Sequence, residues 1–116
     1  MTNYARGHAA EKVAARYLQE QGYKVYALNW RHPRAEVDIV AQQPPGPLLF
    51  VEVKYRETDR QGSGLDYITP QKLRQMQFAA ELWAAQNHYG GEYTLAAMEL
   101  TGKDYRVTNF LPDITV

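Results

Sequence analysis

Two carboxylates and a lysine in the middle of the chain could do chemistry together. Asp38 lies in the alternating run Glu36-Val37-Asp38-Ile39-Val40-Ala41, and Glu52 and Lys54 lie in Leu49-Phe50-Val51-Glu52-Val53-Lys54-Tyr55. Polar and apolar residues alternate in both runs, which marks each as a strand. Between them Gln42-Gln43-Pro44-Pro45-Gly46-Pro47 cannot continue a central strand and permits a tight reversal, so the two runs form a β-hairpin. With that loop centred between positions 44 and 45, Asp38 and Glu52 fall opposite one another to within one place. Val37, Ile39 and Ala41 then share a face with Leu49, Val51, Val53 and Tyr55, and Asp38, Glu52 and Lys54 share the other. Opposed carboxylates repel unless a cation lies between them. Lys54 is one candidate cation. A hard divalent ion, which takes carboxylate, phosphate and water oxygens, is the other. A Glu-x-Lys tripeptide on a solvated face says little. Flanked by Phe50, Val51 and Val53 it sits on a central strand, where charged groups are expensive.

Other chemistries are excluded or discounted. The chain has no cysteine, which removes thiol catalysis, thiolate metal sites and disulfides, and fits a cytoplasmic location. His8, His32 and His88 lack the spacing of a metal site. Gly62-Ser63-Gly64 is not a phosphate-binding loop, because no strand-to-helix glycine pattern with Lys-Ser or Lys-Thr follows it. No Ser-His-Asp arrangement is legible. The nine tyrosines include candidates for base stacking, although amphipathic rings at sheet edges account for them as well. Thirteen basic and thirteen acidic side chains give zero formal net charge, so bulk electrostatics does not advertise a nucleic-acid partner. The excess of acids over bases sits at the C-terminal end. If central acids held a metal, Arg31, Arg34, Arg56, Arg60, Lys72 and Arg74 would remain as a basic surface.

These residues need a scaffold, and 116 residues with an ordinary soluble composition provide one domain, residues 1–116. Ala10, Val13, Ala14, Tyr17 and Leu18 have helical spacing, which predicts a first helix over about residues 5–21, stopped by Gly22. Tyr23 to Trp30 reads as a strand, broken by Arg31-His32-Pro33-Arg34. The hairpin follows, then a polar surface loop over Glu57 to Asp66. Thr69-Pro70 has the form of an N-cap and first helical residue, opening a helix that runs to about Asn87. Tyr93 to Leu100 and Tyr105 to Phe110 complete the set as strands. The order α-β-β-β-α-β-β predicts an α/β sandwich with a mixed central sheet of about five strands flanked by helices. No apolar run approaches the roughly 18 residues of a membrane span, and no export signal is expected.

A family resemblance rests on several motifs in matching order: Gly7, Glu11, Ala14-Ala15-Arg16-Tyr17-Leu18, Gly22-Tyr23, Asn29-Trp30-Arg31, Glu36 to Ala41 and Phe50 to Arg56. Together they resemble the bacterial YraN-like family, assigned to the restriction-endonuclease-like, or PD-(D/E)xK, nuclease superfamily. The match is close over about residues 7–74 and loose thereafter. Ala35 stands where the family usually has Gly, and Thr94-Leu95 replaces a common acidic position. The resemblance implies a metal-dependent nuclease with a restriction-endonuclease-like fold. Asp38, Glu52 and the Val53 carbonyl would hold Mg²⁺ or Mn²⁺, Lys54 would orient water or offset phosphoryl charge, and Glu11 would reach the metal from the first helix. Glu36 would support the site from further out. The substrate would be nucleic acid, DNA before RNA, and branched junctions are included. Arg31, Arg34, Arg56, Lys72 and Arg74 are the candidate phosphate contacts. A binding module that keeps the fold without turnover, and a purely structural interaction protein, are the alternatives. A homodimer is also expected, with Tyr89, Tyr93, Phe110 and Leu111 as its apolar edge.

Overall fold

The computed structural model describes residues 3–58 and 65–115, with side chains from residue 8 onward. The glycine-containing part of the expected Glu57–Asp66 loop, together with Arg60, lies outside the described residues. Helix α1 (Asn3–Glu20) is followed by strands β1 (Lys24–His32), β2 (Ala35–Gln42) and β3 (Leu48–Arg56), helix α2 (Pro70–Gln86), and strands β4 (Tyr93–Thr101) and β5 (Arg106–Leu111). The order is the one the sequence pattern predicts. The sheet order is β1-β2-β3-β4-β5, and only β3 and β4 run parallel, because the chain returns through α2 between them.

Both helices are bounded by local chemistry. α1 ends where Gly22 adopts φ 97°, its N–H donating to the Gln19 carbonyl while Tyr23 N–H donates to that of Leu18. This is a Schellman cap, and the positive φ explains the glycine. α2 begins at Thr69, whose Oγ1 accepts the Lys72 backbone N–H at 3.1 Å, with Pro70 in the first turn.

One helix covers each face of the sheet. Ala10, Ala14 and Leu18 of α1 pack on Ile39, Ala41, Leu49, Val51 and Met98. Met76, Ala79, Ala80 and Trp83 of α2 pack on Val40, Leu48, Phe50 and Leu95. Consecutive residues of β2 and β3 therefore enter different cores, which is why these strands are apolar on both sides over most of their length. The small alanines let α1 lie close to the sheet.

Three expectations need correction. β1 does not break at Arg31: it continues to His32, and His32 pairs with Ala35 around a turn at Pro33-Arg34. Proline is tolerated there because the turn needs no ladder hydrogen bond from it. Val37 does not join Ile39 but packs with Val40 in the α2-side core. The proposed apolar edge is used within the chain. Phe110 meets Tyr17 and Tyr23 edge-on at 6.2 and 6.1 Å, Tyr93 meets Phe50 at 5.3 Å, and Tyr89 Oη donates to the Glu92 carbonyl at 2.6 Å. Leu111 is half-buried, as are the other three.

Candidate functional site

The β2–β3 ladder pairs Ala41 with Leu49, Val40 with Phe50 and Ile39 with Val51, and stops there. In that register the next opposed residues are Asp38 and Glu52. Instead of a further backbone pair, Asp38 Oδ2 accepts the Val53 backbone N–H at 2.8 Å. A side-chain carboxylate thus closes the end of the ladder, and the acid is fixed by β3 as well as by its own strand. On the other side of β2, Asn29 lies between the pairs Leu28–Ile39 and Trp30–Val37, with φ 56°. Asn tolerates this left-handed conformation better than most residues, and it places a kink in β1 level with Asp38.

Each acid then finds a different helix. Asp38 faces Glu11, which α1 brings over the sheet, close enough for each carboxyl to perturb the other. Burial pushes the Asp38 carboxyl up to about 7, against the Val53 N–H, with the Glu11 charge adding to the rise. Burial also raises Glu11. Glu52 is pushed up to about 7 by burial and by the charge of Asp38, although Lys72 opposes the rise. The cation in contact with Glu52 is Lys72 of α2, its Nζ 2.9 Å from Oε1. Lys72 was expected to face phosphate; it is held on the carboxylate, and its own pKa is raised by that contact in opposition to burial.

Lys54 shares the Glu52 face, with its Nζ 5.9 Å from the centre of the Tyr67 ring. Arg56, two residues on, lies over the same ring at 5.7 Å. Its placement corrects the expectation of a phosphate contact. Arg56 is only 8% exposed, its Nε donates to Glu99 Oε2 at 2.6 Å and its Nη2 to Asp66 Oδ1 at 2.9 Å. It braces β3 to β4 and to the segment before α2. Glu99 was missed by the sequence reading. Its signal lay in a single acid within the apolar run Leu95–Leu100, which on a strand buried on both faces requires a counter-ion. The Tyr67 hydroxyl is buried without a hydrogen-bond partner among the described residues, and burial raises its pKa.

The remaining candidates border a cleft of about 520 Å³ between the β1–β2 turn and α2. Glu52 and Lys72 line it, with Arg34 on the turn side and Arg74 and Phe78 on the helix side. Arg34 and Arg74 are exposed, and the Arg34 guanidinium stands 5.6 Å from the centre of the Phe78 ring. Glu36 is exposed and tied to Arg31 at 3.1 Å, so that cation is already compensated.

Comparison with known proteins gives this arrangement relatives. The model of the uncharacterised protein family UPF0102 matches residues 10–108. The chain belongs to UPF0102. A UPF0102 protein of Cytophaga hutchinsonii is 31% identical over 116 residues, the whole of both chains. One from Neisseria gonorrhoeae is 39% identical over 85 residues, 73% of each chain. One from Deinococcus radiodurans is 44% identical over 75 residues, which are 65% of this chain but only 61% of that protein. The UPF0102 match thus runs from within α1 to within β5 and includes Glu11, Asp38, Glu52, Lys54 and the candidate phosphate contacts.

Can the acids of this UPF0102 chain accept a metal? Among the described residues no three or more His, Asp or Glu side chains stand together as a ready cage. Mg²⁺, however, is commonly held by one or two carboxylates plus phosphate and water. Glu11, Asp38 and Glu52 are oxygen donors whose carboxyls are raised by burial first and by one another's charge second, both of which a bound cation would offset. The donor chemistry fits a hard divalent ion. No helix of the described residues is long and apolar enough to cross a membrane.

Proposed function

We propose that this protein is a cytoplasmic, metal-dependent nuclease that hydrolyses phosphodiester bonds in nucleic acid on a restriction-endonuclease-like fold. The observation that carries the reading is the placement of Asp38 and Glu52 where the β2–β3 ladder ends, beside a cleft rimmed by Arg34 and Arg74. Asp38, Glu52 and the Val53 carbonyl would hold Mg²⁺ or Mn²⁺, with Glu11 reaching it directly or through water. Such an ion polarises the phosphodiester and lowers the pKa of water. The Val53 N–H and the ladder hold Asp38 in place, so little reorganisation is needed on binding. Lys54, held on the Glu52 face beside Tyr67, orients the attacking water or offsets charge on the phosphoryl oxygens. Arg34 and Arg74 retain the flanking phosphates.

A second reading has its own observation. Lys72 already neutralises Glu52 without any ion, as a binding module that has lost turnover would require. The experiment is incubation of the purified protein with labelled single-stranded, duplex and branched DNA, and with RNA, in Mg²⁺ or Mn²⁺ at neutral to alkaline pH. The nuclease reading expects cleavage that Glu52→Gln abolishes. Salt-sensitive binding without cleavage in any condition gives the binding module its place, and neither behaviour leaves a structural partner protein.

A further inference from the structure

We infer that the cleft between the β1–β2 turn and α2 seats one unpaired nucleotide beside the carboxylates, its base stacked on Phe78 and its phosphates held by Arg34 and Arg74. This rests on the nucleic-acid reading of the site and adds the form of substrate it takes.

Phe78 is the anomaly that starts the argument. Among the described residues three large apolar side chains are conspicuously exposed, Tyr26, Leu28 and Phe78. The first two lie on the edge strand β1, whereas Phe78 is 40% exposed and lines the cleft. Arg74 is one turn earlier on α2, a spacing that brings side chains to the same helix face. Arg34 approaches the ring from the turn at 5.6 Å, near the roughly 6 Å limit of a cation–π contact, so it is within reach without sealing the ring.

Charge selects the occupant. The two acids of the cleft are compensated, Glu36 by Arg31 at 3.1 Å and Glu52 by Lys72 at 2.9 Å. Arg34 and Arg74 therefore give the cleft a positive balance suited to phosphate. An exposed ring between two guanidinium groups adds what phosphate alone does not need, a flat apolar surface for a base. Base pairs in a continuous duplex hide their faces in the stack, so only an unpaired or extruded base can use it. The volume agrees. About 520 Å³ lies within the roughly 300–1,000 Å³ range of small-ligand sites, room for a nucleotide and not for a double helix.

The test uses the full chain in metal-free buffer, so that binding is read apart from cleavage. Affinity is measured for a mixed-sequence single strand carrying 2-aminopurine and for the same strand annealed to its complement. Phe78→Ala should weaken single-strand binding by about fivefold to a hundredfold, and should remove the fluorescence quenching that reports stacking. Its slope of log affinity against log salt should stay unchanged, while Arg34→Ala should lower that slope by about 0.7. Phe78→Trp should restore both affinity and quenching. A Phe78→Ala protein that binds the single strand within twofold of wild type, or that loses duplex affinity equally, overturns the inference. If Phe78→Ala behaves as expected but wild type cleaves nothing in Mg²⁺ or Mn²⁺, the nucleotide seat stands and the nuclease reading falls.

Discussion

Strand β3 carries two charged sites, at Glu52 and Arg56, four residues apart and built in opposite ways. At Arg56 the buried charges are paired: a buried guanidinium bonds buried Glu99 at 2.6 Å and the more exposed Asp66 at 2.9 Å, and the contact with Glu99 holds Arg56 firmly protonated. Beside Glu52 they are not: Lys72 is the cation in contact with Glu52, Asp38 and Glu11 add like charge nearby, and burial, with that like charge adding to it, raises the three acids. Burying charge is tolerable when each group is paired, and the paired site contributes to holding the fold. A site left with excess charge costs stability, and the missing positive charge is the opening for a ligand. The same strand thus distinguishes a structural use of charge from a functional one, and each side of the contrast can be tested.

The sharpest break comes from activity. Glu52→Gln and Asp38→Asn should reduce cleavage to background, on the order of a thousandfold or more, since each removes an oxygen donor from the reacting centre. Lys54→Ala should leave single-strand affinity within a few-fold of wild type while removing most turnover, because its role is realised at the reacting phosphate. A Glu52→Gln protein with wild-type cleavage would place the chemistry elsewhere.

The paired site should fail through folding. Arg56→Leu leaves Glu99 buried without its partner and should lower unfolding free energy by about 3–5 kcal/mol in urea. Arg56→Leu combined with Glu99→Leu should recover part of that loss, because the unpaired charge is then gone. Equal losses in the single and double variants would show that the pair is not coupled.

Much of the β2–β3 arrangement is legible in the sequence. The β2–β3 register could be derived from Pro44, Pro45 and Gly46, which locate the turn, and from the alternation on either side. The placement of Asp38 opposite Glu52 follows from those local signals. The contrast between the two sites was not legible, because it depends on contacts made across long separations. Glu99 reaches Arg56 through the parallel β3–β4 pairing, which sets Lys54 beside Glu99 only after the α2 crossover is in place. Lys72 likewise reaches Glu52 from the next helix. Sequence supplied cations near the triad in number order, and tertiary packing decided which were braces. The β1–β2 hairpin was missed because Pro33 marks a break equally well when it occupies a turn.

A pH profile probes the unbalanced site alone. Asp38 and Glu52 have folded-state values of about 7, above their ordinary 3.8 and 4.5. Between those limits the folded protein holds more protons than the unfolded chain, so stability falls as pH rises and the loss is complete above about pH 7. The metal-free protein should therefore be more stable at pH 5 than at pH 8 by on the order of 2 kcal/mol. Asp38→Asn should flatten much of that slope and raise the melting temperature at pH 8. Mn²⁺ should raise it in wild type by binding the folded state and should do so less in Asp38→Asn. Equal metal responses would show that the ion binds away from the pair.

The smallest effects separate cations that are committed inside the protein from those that face the cleft. Loss of one phosphate contact changes the slope of log affinity against log salt by about 0.7 for a single strand and 0.9 for duplex DNA. Arg74 is exposed on the cleft wall, so Arg74→Ala should show nearly that full change. Arg31 is also exposed, but Glu36 stands 3.1 Å from its guanidinium, so Arg31→Ala removes a charge that is already offset and should change the slope by clearly less. Arg56→Lys keeps a cation against Glu99 and should leave the slope alone, since a side chain 8% exposed releases no counter-ion from the nucleic acid. A slope change in Arg56→Lys matching that of Arg74→Ala would mean that the brace opens when nucleic acid binds, and the division between structural and functional charge along β3 would no longer hold.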